Sequence, residues 1–414
     1  MKPFSNSSNR AQKAGKQRPR LGAGKAPPRA PAALSTDAAV EALLGRPSVQ
    51  LDDGPIRASI EGQVVMVTGA AGSIGSELCR QLARFHPAGV VGFDIAESPL
   101  AALEREMRAR FPATPFFAEL GSIQNRPRVR ELLRRHAPAA IYHAAAYKHV
   151  PMLEAHVFEA IENNVFGAYT MAQAAVEHGA GKFVLISSDK AARPASVMGA
   201  TKRLAELLLL ALSSRRTKFM AVRFGNVLGS NGSVLHIFRE QIAAGGPVTV
   251  THPEMRRYFM TIPEACRLVL AAAAIGKGGQ LLVLDLGEPV KIVDLACSLI
   301  RLSGLIPDKD IRIEFTAPRP GEKLREEGSA VLAGTAPTAH KQIRIYKGKE
   351  ACCPGDLAAW LERLQRIASE RDLGRLVAAL KKAIPDYTPS AYLVERVRSS
   401  RNPSALPSHR QGIL

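Results

Sequence analysis

Val64-Val65-Met66-Val67-Thr68-Gly69-Ala70-Ala71-Gly72-Ser73-Ile74-Gly75 is a β-rich apolar run that ends in a G-x-x-G-x-x-G loop and opens a helix through Leu82. Strand, glycine loop and helix in that order form the context that binds a diphosphate. Gly69 permits the tight turn, Gly72 lets the backbone approach phosphate, and Gly75 lets helix and strand pack closely. Ser73 and Ile74 begin the helix whose N–H groups would donate. The next strand, Gly89–Asp94, sets a carboxylate about 20 residues beyond the loop, where it is placed to accept hydrogen bonds from an adenosine ribose. Asp94 would repel a 2′-phosphate and no arginine stands beside it, so NAD is expected over NADP. Taken alone, Asp94 also reads as a cap for the following helix.

Outward from this unit, strand-like runs at Ala139–Ala144 and Lys182–Ser187 alternate with helical periods such as Leu100–Phe111. That alternation predicts an α/β fold, a Rossmann-like doubly wound parallel sheet. After Phe219–Arg223 the pattern loosens into Gly- and Pro-rich loops with isolated helices at Pro263–Ile275 and Lys291–Ser303, which reads as a smaller C-terminal substrate-binding region. The stretch Asp356–Ala383 is amphipathic and helical. The expected organisation is a basic arm over 1–34, a lead-in over 35–62 with a helix start at Ser35, a nucleotide-binding core over 63–222, the substrate-binding region and C-terminal helices over 223–395, and a polar tail over 396–414.

The 414 residues are 46% hydrophobic and 22% charged, which excludes wholesale disorder, collagen and a disulfide-built miniprotein. A net charge of +19 allows acidic partners without choosing among them. The arm holds Lys2, Arg10, Lys13, Lys16, Arg18, Arg20, Lys25 and Arg29 and no acid. A solvated extension is its plainer reading and loose contact with an anionic membrane face the sharper one; nucleic acid is not expected. Five cysteines, two of them the neighbours Cys352 and Cys353, show neither zinc nor disulfide spacing, so a reduced, cytoplasmic protein without a metal is expected. The longest apolar run, Leu207–Leu212, is too short to span a bilayer, and no secretion signal is visible.

The strand Phe183-Val184-Leu185-Ile186 ends in Ser187-Ser188-Asp189-Lys190, and Met198 and Lys202 lie one helical turn apart on the next helix. Joined to these are six ordered motifs: T-G-A-A-G-S-I-G-S-E-L from Thr68, S-S-D-K-A from Ser187, V-M-G-A-T-K-R from Val197, R-F-G-N-V-L-G-S-N-G-S-V from Arg223, R-Y-F-M-T-I-P-E-A from Arg257 and R-P-G-E-K-L from Arg319. Together they resemble the capsule-type polysaccharide biosynthesis family of extended short-chain dehydrogenase/reductases, whose characterised members include UDP-N-acetylglucosamine 4,6-dehydratases. The resemblance runs from about Leu43 to about Tyr387-Thr388-Pro389. Long members carry transmembrane helices ahead of the L-G-R-P segment, so this chain is expected to be a soluble form. Many short-chain dehydrogenase/reductases have tyrosine where this chain has Met198, one turn before the lysine.

The resemblance implies an NAD-dependent nucleotide-sugar 4,6-dehydratase acting on UDP-N-acetylglucosamine or a close relative for surface polysaccharide or glycan synthesis. Oxidation at sugar C4 acidifies the C5 proton, a base removes it, an acid helps the C6 hydroxyl leave, and the hydride returns to C6. It further implies Asp189 as acid, Lys190 as base, Ser188 holding the C4 oxygen and Lys202 binding the nicotinamide ribose. For Lys190 to accept a proton, burial or Lys202 must lower its pKa. An isolated Asp-Lys dipeptide reads as an exposed ion pair; its place at a strand end reverses that reading. Met198 cannot take a proton and reads as core packing.

Ala144, after His143, lets the backbone pass close to the cofactor, while His143 reads as a packed core residue. Asn164 is expected to brace the active-site strand. Lys148, Asn226, Arg257, Arg319, Glu322 and Lys323 are the candidates for the UDP-sugar, each with a structural reading beside it, and Arg257 is the leading one. A homo-oligomer paired through helices beside the active site is implied. Two rivals stand: a UDP-sugar 4-epimerase, which needs no C5 base or C6 acid, and a silent nucleotide-binding scaffold.

Overall fold

The strands run in chain order β1 (Val64–Thr68), β2 (Gly89–Asp94), β3 (Phe116–Leu120), β4 (Ala140–His143), β5 (Lys182–Ile186), β6 (Lys218–Arg223), β7 (Asn226–Val227), β8 (Val248–Val250), β9 (Arg256–Arg257), β10 (Phe259–Met260), β11 (Gln280–Leu284), β12 (Val290–Lys291), β13 (Ile313–Phe315), β14 (Thr335–Pro337) and β15 (Ile343–Tyr346). The structure, a computed structural model, describes residues 52–212, 216–326, 334–348 and 357–401. The basic arm, the helix start at Ser35, Cys352 and Cys353, and the end of the polar tail lie outside the described residues.

The main sheet has the order β14-β15-β11-β6-β5-β4-β1-β2-β3. From β3 to β11 every pairing is parallel, and β15 and β14 close the far edge antiparallel. This is the doubly wound α/β sheet expected, with its switch point between β1 and β4. Both faces are covered, which is why β1 is a continuous apolar run rather than an alternation. Val65 and Val67 face a core shared with the helices Gly54–Ile60, Ser73–Ala83 and Ile262–Ile275. Met66 faces the opposite core, built with the helices Ala168–Glu177 and Val197–Ala211.

The expected break at 222 and 223 does not separate two bodies, because β11, β14 and β15 return to extend the same sheet. The smaller region is instead a satellite core, in which Leu235 and Phe238 meet Ile292, Leu295 and Leu299 beside β8 and β13. The helical stretch ending at Ala383 is two helices, Leu357–Ser369 and Leu373–Ala383, and a further helix, Ala391–Arg401, runs past the expected start of the tail. Leu364, Leu376, Leu380 and Tyr387 from this end share a core with Val157, Phe158 and Ala168. Arg371 reinforces the contact by pairing with Glu159 at 2.7 Å and lying 4.7 Å over the Phe158 ring. No helix among the described residues is long and apolar enough to cross a membrane.

Glu154 ties three distant parts of the chain together. Its fully buried carboxylate accepts from Val197 N at 2.6 Å, at the start of the helix Val197–Ala211, and from Ser390 Oγ at 2.5 Å. A Cβ on Gly321 would lie 2.9 Å from its Cγ. Glu154→Ala leaves two donors without their acceptor at about 1–3 kcal/mol each, and chemical denaturation should show a loss of roughly that sum.

Candidate active site

The glycine loop sits at the switch point because the backbone leaves no alternative. Gly69 has φ +66°, and a Cβ there would lie 2.6 Å from Ala145 N, so the turn backs directly onto the segment after β4. Ala144 N donates to Thr68 O at 3.0 Å in the same seam. At Gly75 a Cβ would come within 2.0 Å of Gly69 O, so the loop cannot close over any side chain at that position. Gly72 is the N-cap of the helix Ser73–Ala83 and offers its first turn no side-chain acceptor. The N–H groups opening this turn, at Ser73 and Ile74, have no intrahelical acceptor and are available to an anion.

Asp94 braces this loop. Its Oδ2 accepts from Ala71 N at 2.8 Å and its Oδ1 from Ala96 N at 2.9 Å. The helix that follows has Ala96 as its N-cap, so Asp94 is not the cap itself. A carboxylate has about four acceptor positions, leaving room for two ribose hydroxyls. The loop, the bare helix start and this carboxylate fit a dinucleotide.

Past β5 the chain makes one 3₁₀ turn, Asp189–Ala191, whose N-cap is Ser188. Ser188 Oγ accepts from Lys190 N at 3.3 Å and donates to Asp189 Oδ1 at 2.8 Å. Lys190 Nζ lies 3.1 Å from Asp189 Oδ1, 3.0 Å from Asn226 Oδ1 and 3.4 Å from Glu326 Oε1. Asp189 is 1% exposed, and its other oxygen, Oδ2, is buried with no hydrogen-bond partner among the described residues. A buried carboxylate oxygen left in this way marks a position for a proton or a reacting group.

The charge state of Lys190 departs from expectation. Burial pulls its pKa down, but the carboxylates of Asp189 and Glu326 outweigh that and hold the ammonium above the ordinary lysine value. Lys202, in contrast, is lowered to about 8 by burial against the opposing charge of Glu206, and burial lowers Lys148 as well. Lys202 Nζ donates to Ile186 O at 2.9 Å, beneath the turn, rather than facing Lys190.

Met198 is 4% exposed and packs in the core. His143 Nδ1 lies 2.8 Å from Thr68 Oγ1, and burial, with the Lys202 charge, lowers its pKa to about 3. Asn164 sits in a π-helical turn, Glu162–Gly167. It braces not the strand but the segment after β4, accepting from Tyr147 N at 2.8 Å and donating to Tyr147 O at 3.0 Å, and it also donates to Thr201 Oγ1 on the helix Val197–Ala211.

The substrate candidates divide into two groups. Asn226 and Arg257 lie at the 3₁₀ turn: Arg257 is 8% exposed, donates from Nη1 to Arg256 O at 2.8 Å, and its Nε lies 3.7 Å from Glu326 Oε1, which also meets Lys190. Arg319, Glu322 and Lys323 instead shape their own loop, since Arg319 pairs with Glu322 at 2.8 Å and Lys323 Nζ donates to Arg193 O at 2.8 Å. Lys148 Nζ donates to Ser230 Oγ at 3.3 Å, and the adjoining Asn231 N donates to Ser73 Oγ at 3.0 Å, which ties this loop to the helix that begins the glycine motif. Glu326 is the residue that sequence reasoning missed: it follows the R-P-G-E-K-L run by two positions, and only the fold brings it to Lys190.

A glycine loop at the switch point of a doubly wound sheet, with an acid and a lysine on the turn after β5, defines a dinucleotide-binding α/β protein of the dehydrogenase/reductase type. The chain belongs to the polysaccharide biosynthesis protein family, whose model matches residues 65–347. It is 53% identical to the probable polysaccharide biosynthesis protein EpsC of Bacillus subtilis over 70% of this chain and 49% of EpsC, so it spans about half the length of that relative. The X-ray structure of Pen from Bacillus thuringiensis matches at 30% identity and TM-score 0.64, over 72% of this chain and 90% of Pen. DesIV of Streptomyces venezuelae, a dTDP-glucose 4,6-dehydratase solved with NAD and TYD bound, shares the fold at 24% identity and TM-score 0.56, over 65% and 89% of the two chains. UDP-glucose 4-epimerases also match in sequence. The chain thus shares its fold with a nucleotide-sugar dehydratase and is similar in sequence to UDP-glucose 4-epimerases.

Gly75→Ala should abolish dinucleotide binding in equilibrium dialysis while far-ultraviolet circular dichroism stays native. His143 gives a pH test. Its folded pKa is depressed from 6.5 to about 3, so the unfolded chain binds the proton first and stability falls as pH drops across that window. His143→Gln should flatten this part of the stability profile relative to wild type in urea titrations.

Proposed function

We propose that this protein is an NAD-dependent nucleotide-sugar 4,6-dehydratase, acting on UDP-N-acetylglucosamine or a close relative in polysaccharide synthesis. The observation that carries the reading is the side-by-side placement of Asp189 and Lys190 on the turn after β5, with Asp189 Oδ2 buried and unpartnered. When bound, NAD supplies a hydride acceptor at sugar C4 and a donor at C6. Gly69, Gly72, Ser73, Ile74, Gly75, Asp94 and Ala144 hold it, with Lys202 at the nicotinamide ribose. DesIV, a protein of the same fold, is solved with NAD bound.

Dehydration needs a base at C5 and an acid at C6 in reach of one another. The Lys190–Asp189 pair meets that need in one step: passage of the ammonium proton across 3.1 Å to the carboxylate yields a neutral amine and a protonated acid together. Ser188, which already donates to Asp189, orients that acid and is placed beside the C4 oxygen. Arg257 and Asn226 hold the substrate over the turn, with Lys148, Arg319, Glu322 and Lys323 shaping the loops around it. An epimerase would need only the C4 step, and the tyrosine that commonly serves it is replaced here by a core methionine, Met198.

Purified protein with NAD and UDP-N-acetylglucosamine in deuterated water should lose one water from the sugar and gain deuterium at C5, read by mass spectrometry and NMR. Asp189→Asn should keep NAD binding and lose water elimination by a factor of about 10²–10⁴, the range for a removed general acid. Lys190→Ala should abolish exchange at C5. C4 inversion without loss of mass would replace the dehydratase reading with the epimerase.

A further inference from the structure

Glu326 is a carboxylate with almost no access to water, its side chain 4% exposed, on the segment that leaves the R-P-G-E-K-L loop. A charge buried to that degree is costly unless paired, and two cations meet it: Lys190 Nζ at 3.4 Å and Arg257 Nε at 3.7 Å. Those cations come from different parts of the fold, the turn after β5 and strand β9. The residues just before Glu326 are themselves fixed against β9. Arg256, next to Arg257, bridges to Arg325 in parallel, and Arg256 N donates to Leu324 O at 3.1 Å.

We infer that Glu326 is a positioning residue of the acid–base centre, whose carboxylate binds the Lys190 ammonium to the Arg257 guanidinium and so joins the catalytic turn to the substrate side of the cleft. The inference rests on the reading of Lys190 as the C5 base and adds to it the group that holds that base. Among the described residues the charged groups facing Lys190 are Asp189 on its own turn, Glu326 from the loop segment and Arg257 on β9, with the neutral Asn226 amide from β7. Of these, Asp189 must give up its charge when it takes the proton, whereas Glu326 keeps its own. Glu326 therefore opposes the proton's departure from Lys190, and it sets the pH at which the pair becomes active.

The test compares the full-length wild type with Glu326→Gln, which keeps shape and removes charge, and Glu326→Asp, which keeps charge at shorter reach. With ¹³Cε-labelled lysine, NMR of the ligand-free protein follows the Lys190 titration, assigned by its absence in Lys190→Arg. The titration should move to lower pH in Glu326→Gln and fall between the two in Glu326→Asp. The acid limb of the kcat profile should move in the same direction, with KM raised because Arg257 is no longer held. A merely structural role would lower stability and leave the titration in place. An unchanged Lys190 titration in both variants overturns the inference whatever the activity. If the titration moves while no UDP-sugar loses water in the wild type, the role of Glu326 stands and the dehydratase reading falls.

Discussion

Glu206 is fully buried in the helix Val197–Ala211, and its carboxylate is shared by three elements. Arg223, at the end of β6, grips it in a bidentate pair at 2.7 and 2.5 Å. Ser187, at the end of β5, donates to it at 2.5 Å, and Arg203 approaches from the preceding turn of the helix at 3.2 Å. Burial alone would push this carboxyl up, but the arginines and the hydroxyl hold it below the ordinary value, so the network stays charged. Removing one partner from such a buried pair costs about 3–5 kcal/mol, because the remaining charge is stranded. The position of Ser188, Asp189 and Lys190 follows from it: the residue just before them and the helix just after them are fastened to the same carboxylate.

The two lysines near this anchor have opposite environments. Lys202 lies under the sheet end with a backbone carbonyl as its partner, and burial lowers it to about 8. Lys190 stands between two carboxylates and is raised. Divergent environments for like groups commonly accompany divergent roles. In the proposed reaction the raised lysine is the one that must release a proton, and the adjacent Asp189, short of a partner on Oδ2, is where that proton goes.

The nucleotide-binding half was legible because its determinants are local. The glycine at Gly75 is required by contacts within a few residues, and β1, β2 and β5 are continuous apolar runs because both of their faces are buried. The rest depends on tertiary pairing. β3 lies on the edge with Phe117 and Leu120 exposed, so its sequence lacks the buried-strand pattern. β11, β14 and β15 are short runs among loops, and only the pairing of β11 with β6, of β15 with β11 and of β14 with β15 identifies them as part of the main sheet. Among site residues, Asp189 and Lys190 were visible through their place at a strand end. Glu326 was not, since 136 residues of chain separate it from Lys190 and its role is purely one of fold.

Methionine at position 198 shows what this arrangement has traded. A tyrosine on the first turn of the helix would place a phenol one turn from Lys202, and the lysine would then serve mainly to lower that phenol's pKa. Here the side chain is turned into the core, while Thr201 on the same turn accepts from Asn164 and the helix start is fixed by Glu154. The helix has kept its scaffolding bonds and carries no proton-transfer group at that position. In the proposed reaction the proton transfers at C5 and C6 therefore fall to the 3₁₀ turn after β5, where one carboxylate and one amine stand side by side, and the C4 hydroxyl proton leaves to water. Such a pair works only if its geometry is held to within a fraction of an ångström. The buried network of Glu206 below the turn and the carboxylate of Glu326 above it supply that constraint from two independent parts of the chain.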